Sequence, residues 1–127
     1  MKFVVAGGRN IPQMIAYGEI VKLRAANDNA FCHATEIVCG YAKGADLAGK
    51  QYGDTYGLPV IPFKPEYDKY GRFRAPKIRN SKMAVYGDAL LLIWDGKSGG
   101  SRHMKEAMVA LNKPVYEIIL ETKDETK

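Results

Sequence analysis

The stretch Ala89-Leu90-Leu91-Leu92-Ile93-Trp94 decides the fold. Its six apolar residues show no alternation with polar ones, which is typical of a β-strand covered on both faces. Strands of this kind occur in parallel sheets whose two faces are packed with helices. The stretch therefore predicts an α/β protein in which this strand is a central one.

Short β-branched runs and longer helical runs alternate along the rest of the chain. Apolar residues recur every three or four positions in the helical runs, whereas the strand runs are short and bounded by turn residues. We predict strands at 3–6, 35–39, 59–63, 89–94 and 114–119, and helices at 11–26, 45–56, 76–86 and 101–111. This order predicts a Rossmann-like three-layer sandwich with a mainly parallel sheet of about five strands.

The chain of 127 residues is long enough for one hydrophobic core and too short for two. We expect a single domain at 1–120 and a charged, flexible tail at 121–127. No apolar run is long enough to cross a membrane, and the start of the chain lacks the apolar core of a signal peptide. We therefore expect a cytoplasmic protein, with Cys32 and Cys39 reduced.

The net charge of +5 is concentrated in one segment, residues 64–82. This segment holds seven basic and two acidic residues, so the rest of the chain sums to zero. Tyr67, Tyr70 and Phe73 lie between its charges. A basic surface with interleaved aromatic rings favours contact with an anionic ligand that carries a base. The alternative is a solvated loop rich in lysine and arginine.

Three glycine-bearing loops each lie between a predicted strand and a predicted helix. They are Gly7-Gly8-Arg9-Asn10, Gly40-Tyr41-Ala42-Lys43-Gly44-Ala45-Asp46 and Asp95-Gly96-Lys97-Ser98-Gly99-Gly100-Ser101. Backbone N–H groups and the helix dipole attract an anion at such positions, although glycine also serves sharp turns alone. Because ligands bind beyond the carboxyl ends of parallel strands, we expect the loops to form one pocket. None has the spacing of a P-loop or a dinucleotide fingerprint, which disfavours a P-loop NTPase and an ordinary NAD-dependent oxidoreductase.

The candidate ligand-binding residues come from these loops and from the 76–86 helix. Backbone N–H groups of Gly99, Gly100 and Ser101 would hold a phosphate, while the Ser101 hydroxyl would bind it or cap the helix. We expect Arg79 to contact the anion from the surface, so that Arg79→Ala changes the folding free energy by no more than about 0.5 kcal/mol. The full set is Gly7, Gly8, Arg9, Gly40, Gly44, Ala45, Asp46, Arg79, Asn80, Asp95, Ser98, Gly99, Gly100 and Ser101.

Several other side chains have two interpretations. Asp46 would cap the second helix or bind ribose hydroxyls, and Asp95 would bind ribose or Mg²⁺. Tyr41 and Tyr67 are candidates for stacking on a base, whereas Trp94 is expected in the core. The cysteines and histidines are too few and too scattered for a structural zinc site, so no metal centre is expected.

Four motifs, in this order, resemble the YspA/YpsA-related branch of the SLOG superfamily. They are Ala6-Gly7-Gly8-Arg9, Gly40-x-Ala42-x-Gly44-Ala45-Asp46, Arg79-Asn80-x-x-Met83 and Trp94-Asp95-Gly96-x-Ser98-x-Gly100-Ser101-x-x-Met104. The resemblance covers nearly the whole chain. It implies a Rossmann-like domain that binds a nucleotide or nucleotide-derived ligand and that often forms a homo-oligomer.

The resemblance leaves three functions open. LOG members of the superfamily are phosphoribohydrolases that cut the N-glycosidic bond of a nucleoside monophosphate with a glutamate. Met104 stands at that position here and cannot act as an acid or base, so Asp46, Asp95 and Glu106 are the candidate replacements. Relatives of DprA bind single-stranded nucleic acid, which would run along the basic segment. We expect nucleotide binding, with hydrolysis and single-strand binding as the alternatives.

Overall fold

The computed structural model of the chain describes residues 1–40 and 42–121. Five strands alternate with four helices, and a short 3₁₀ turn at Ala30–His33 precedes the second strand. The strands are β1 (Lys2–Gly7), β2 (Glu36–Cys39), β3 (Val60–Pro62), β4 (Ala89–Trp94) and β5 (Val115–Ile119). The helices are α1 (Gln13–Ala26), α2 (Ala45–Tyr56), α3 (Tyr67–Tyr86) and α4 (Gly99–Ala110).

The sheet has the order β3-β2-β1-β4-β5, and all neighbouring strands are parallel. The chain moves outward from β1 to β3, then crosses back to β4 beside β1. The strand order therefore reverses between β1 and β4, where ligands bind in sheets of this type. Gly7, the last residue of β1, is paired with Ile93 near the end of β4.

The apolar stretch in β4 supplies both faces of the core. Ala89, Leu91 and Ile93 pack with residues of α1 and α2 on one face, whereas Leu90, Leu92 and Trp94 pack with residues of α3 and α4 on the other. All six are buried, which explains why the run has no polar alternation. The predicted three-layer α/β architecture is confirmed, and so is the burial of Trp94.

The predicted boundaries are wrong at three helix starts. Helix α3 begins at Tyr67, so much of the basic segment is helical rather than a loop. Gly71, with φ of 83° and ψ of 174°, breaks the helix. The break leaves Pro76 as the fifth residue after Gly71, early in the second part of the helix. Helix α4 begins at Gly99 rather than Ser101, and Pro12 precedes α1 as its N-cap rather than lying in its first turn.

The predicted tail lies almost wholly outside the described residues, of which the last is Glu121. None of the helices in the described ranges has the length and hydropathy of a membrane span.

Candidate ligand-binding site

The three glycine-bearing loops contribute to one cavity of about 530 Å³ at the carboxyl ends of β1, β2 and β4. Helix α3 forms a further wall. Nine of the predicted residues line it, namely Gly7, Arg9, Asp46, Arg79, Asn80, Asp95, Ser98, Gly100 and Ser101. A cavity of this size is within the range of small-molecule sites in proteins. The sequence prediction that the loops converge therefore agrees with the geometry.

Close backbone approach holds the first two loops together. The N–H of Gly8 donates to the carbonyl oxygen of Ile93 at 3.1 Å, which fixes the first loop on β4. A Cβ on Gly44 would lie 2.6 Å from the carbonyl oxygens of both Gly8 and Ile11. The φ of Gly44 is +80°, a conformation that disfavours other residues. Gly8 and Gly44 therefore shape the cavity without lining it.

Asp95 joins the first loop to the third. Its Oδ2 accepts a hydrogen bond from Asn10 Nδ2 at 2.9 Å, and its Oδ1 accepts from the backbone N–H groups of Lys97 and Ser98 at 2.8 and 3.0 Å. These bonds, the one from Asn10 foremost, hold the pKa of Asp95 below its usual value. The carboxylate therefore organises the loop that leads into α4. Within the described ranges, no group of three His, Cys, Asp or Glu side chains is placed to hold a metal ion.

The N-terminus of α4 opens into the cavity. Gly99, Gly100 and Ser101 form its first turn, and the N–H of Arg102 is the first to bond back along the helix, to the Ser98 carbonyl at 3.0 Å. Ser101 is only 4% exposed, and its Oγ has no hydrogen-bond partner among the described residues. Ser98 is the N-cap, so Ser101 does not cap the helix. A buried hydroxyl without a partner costs about 1–3 kcal/mol.

Arg79 and Asn80 connect the second loop to the start of α4. Nη1 of Arg79 donates to the Gly40 carbonyl at 2.7 Å, and its Nε donates to Asn80 Oδ1 at 3.0 Å. Asn80 Nδ2 in turn donates to the Gly100 carbonyl at 3.4 Å and lies 3.3 Å from His103 Nδ1. Arg79 is partly buried in this chain of bonds. Arg79 is therefore not at the surface as predicted, because it is partly buried and has structural partners, and the effect of Arg79→Ala on folding stays a prediction.

Asp46 is buried beneath the second loop, with an exposure of 4%. Burial raises its pKa from 3.8 to about 6, against the opposing effects of Arg79 and of a hydrogen bond from the Ala42 N–H at 3.3 Å. Gly40 makes the packing possible, because a Cβ there would lie 2.5 Å from Arg79 Nη1 and 2.9 Å from Asp46 Oδ2. A carboxyl group in a cavity whose pKa is raised by burial is more common at functional sites than elsewhere.

Some predicted residues do not reach the cavity. Glu106 is exposed on α4 and does not line it, so it cannot replace the missing glutamate. Gly8, Gly40, Gly44, Ala45 and Gly99 also lie outside the lining. Tyr67 is 47% exposed and lies at an adjoining hollow. The candidate Tyr41 falls outside the described residues.

Several lining residues were missing from the predicted set. They are Ala6, Asn10, Ala42, Pro76, Met83, Lys97 and Met104. Asn10, Ala42 and Lys97 belong to the three glycine-bearing loops, so loop membership was a signal for them. Met83 and Met104 belong to the motifs of the SLOG resemblance, whereas Pro76 gave no signal, because apolar residues on helices are equally typical of the core.

Comparison of the chain with protein-family models, curated proteins and solved structures gave no match. The likeness to SLOG motifs therefore stays a prediction that rests on the residues quoted above.

Proposed function

We propose that the cavity binds a nucleotide or nucleotide-derived ligand, with a phosphate at the N-terminus of α4. The observation that carries the proposal is Ser101, whose buried Oγ has no partner in the described part of the chain although the residue lines the cavity. With the ligand bound, this hydroxyl would turn about the Cα–Cβ bond and donate to a phosphate oxygen. Gly100 and Ser101 N–H groups, at the positive end of the helix dipole, favour the same anion.

The walls of the cavity suit the rest of such a ligand. Arg9 supplies a guanidinium group that would bind phosphate in bidentate fashion, whereas Arg79, which already donates to Gly40 and Asn80, adds a second positive charge. Ala6, Pro76, Met83 and Met104 give one side an apolar surface for the sugar or base. Polar and charged residues outnumber apolar ones in the lining, which suits an anionic ligand that has a smaller apolar part.

We propose that the cavity binds the nucleotide without hydrolysing it. Met104 is buried at the cavity wall, in the position where the resembling LOG enzymes carry glutamate. A thioether neither transfers a proton nor stabilises a cationic sugar. The motif residues that line the cavity together also support a SLOG-like domain.

Replacement of Ser101 by alanine tests the phosphate position. We expect Ser101→Ala to weaken nucleoside monophosphate binding by about 10- to 100-fold, because a hydrogen bond to a charged group contributes about 1.5–3 kcal/mol. The free energy of unfolding should stay equal or rise, since an unpaired buried hydroxyl is removed. Isothermal titration calorimetry and urea unfolding measure the two quantities.

The matched control is Ser81→Ala. Ser81 loses the same atom from an exposed site on α3, where its Oγ donates to the Lys77 carbonyl at 3.1 Å. This variant should bind as the wild type does. Equal binding by Ser101→Ala and the wild type would contradict the phosphate position.

A further inference from the structure

A second hollow adjoins the cavity at Arg9 and Arg79. Its volume is about 310 Å³, and Lys64 and Tyr67 form part of its lining. Arg9, Ala42 and Arg79 line both spaces, so the hollow lies directly beside the cavity. A ligand that occupies both spaces would lie next to both guanidinium groups.

The two spaces differ in charge. The cavity lining combines Arg9, Arg79 and Lys97 with the carboxyl groups of Asp46 and Asp95. Among the described residues around the hollow, Arg9, Lys64 and Arg79 are basic and none carries a carboxylate. The side chains that line the hollow therefore carry a net positive charge, which favours an anion there.

Repulsion between the positive charges of Arg9 and Arg79 also favours an anion in the hollow. Burial foremost, and also the like charge of Arg9, lower the pKa of Arg79, while the charge of Asp46 acts in the opposite direction. Two guanidinium groups that repel each other at the junction are stabilised by an anion between them.

We infer that the ligand carries a second anionic group, held by Arg9, Arg79 and Lys64, and that its class is nucleoside diphosphates rather than monophosphates. The inference rests on the proposed function. One phosphate lies at Ser101, and the sugar or base lies against the apolar wall of the cavity. The next phosphate enters the hollow, which Tyr67 helps to line.

The test compares dissociation constants of nucleoside monophosphates and the matching diphosphates by calorimetry, for the wild type and for Lys64→Ala. We expect the wild type to bind a diphosphate about tenfold more tightly than its monophosphate. Lys64→Ala should lose most of this preference and keep the monophosphate affinity within about twofold, because Lys64 does not line the main cavity. Lys69→Ala is the matched control, since Lys69 is exposed in the same segment and lines neither space.

Each other outcome overturns the inference. If monophosphates bind and diphosphates bind no more tightly, the second anionic group is absent while the proposed function stands. If Lys69→Ala loses the preference for diphosphates as fully as Lys64→Ala does, that preference comes from the overall positive charge of residues 64–82. The hollow is then not the site of the second phosphate. If neither series binds the wild type, the proposed function fails as well.

Discussion

Replacement of Gly7 by alanine is expected to lower the free energy of unfolding by about 3 kcal/mol or more. A Cβ at this position would overlap the carbonyl oxygen of Ile93 and would lie 2.8 Å from the Cβ of Ala45. Both neighbours belong to packed elements, so neither a side-chain rotation nor a small shift makes room. Insertion of one methyl into a close-packed core costs about 1–3 kcal/mol or more, and a clash with strand backbone belongs at the upper end. Urea unfolding at neutral pH measures the loss.

The matched control is Gly99→Ala in the first turn of α4. Among residues 1–40 and 42–121, no heavy atom outside the neighbouring helix backbone lies within 4 Å of a Cβ built there, and alanine is favoured over glycine in a helix by up to about 1 kcal/mol. This variant should unfold as the wild type does, or at a higher urea concentration. A Gly7→Ala protein within about 1 kcal/mol of the wild type would contradict the close approach of β1, β4 and α2 described here.

Replacement of Asp46 by asparagine is expected to remove a large part of the pH dependence of folding. In the folded protein the pKa of Asp46 is about 6, against 3.8 for the unperturbed group. Between these values the folded state holds a proton that the unfolded chain releases, so wild-type stability falls as the pH rises from about 4 to about 6. A difference of about two pKa units corresponds to about 3 kcal/mol. Asparagine at position 46 does not titrate, so the variant should not lose this stability. Its free energy of unfolding relative to the wild type should therefore rise by about 3 kcal/mol between about pH 4 and about pH 6.

Urea unfolding of both proteins at pH 4, 5, 6 and 7 measures the effect. Asp54→Asn is the control on the same helix, because Asp54 is exposed and forms an ion pair with Lys50 at 2.7 Å. An exposed pair of this kind contributes less than about 1 kcal/mol. A stability difference between Asp46→Asn and the wild type that does not change with pH would show that burial does not raise the pKa of Asp46.

The sheet was predictable because its strands carry strong local signals. The run at Ala89–Trp94 has the same bounds in the sequence prediction and in the structure, since both faces of that strand are covered. The start of α3 was not predictable in the same way. Gly71 and Pro76 both disfavour a helix, and only the three-dimensional packing shows that a break at Gly71 accommodates them.

The location of the site was also predictable, whereas its internal bonds were not. Parallel strands bring the three glycine-bearing loops to one edge, so sequence order alone places them together. The bond between Asn10 and Asp95 joins residues 85 positions apart, and the bond between Asn80 and the Gly100 carbonyl depends on the contact between α3 and α4. No local pattern encodes such partners. The burial of Asp46 and the unpaired hydroxyl of Ser101 likewise follow from packing.

Backbone amide mapping by NMR tests most directly whether the three loops form one anion-binding site. The ¹⁵N-labelled protein is titrated with a nucleoside diphosphate, and the amide signals of Arg9, Ala42 and Ser101 report on one loop each. We predict that signals from all three loops shift together and fit one dissociation constant. Shifts confined to a single loop, separate dissociation constants for the loops, or no shift at saturating nucleotide would contradict a shared site.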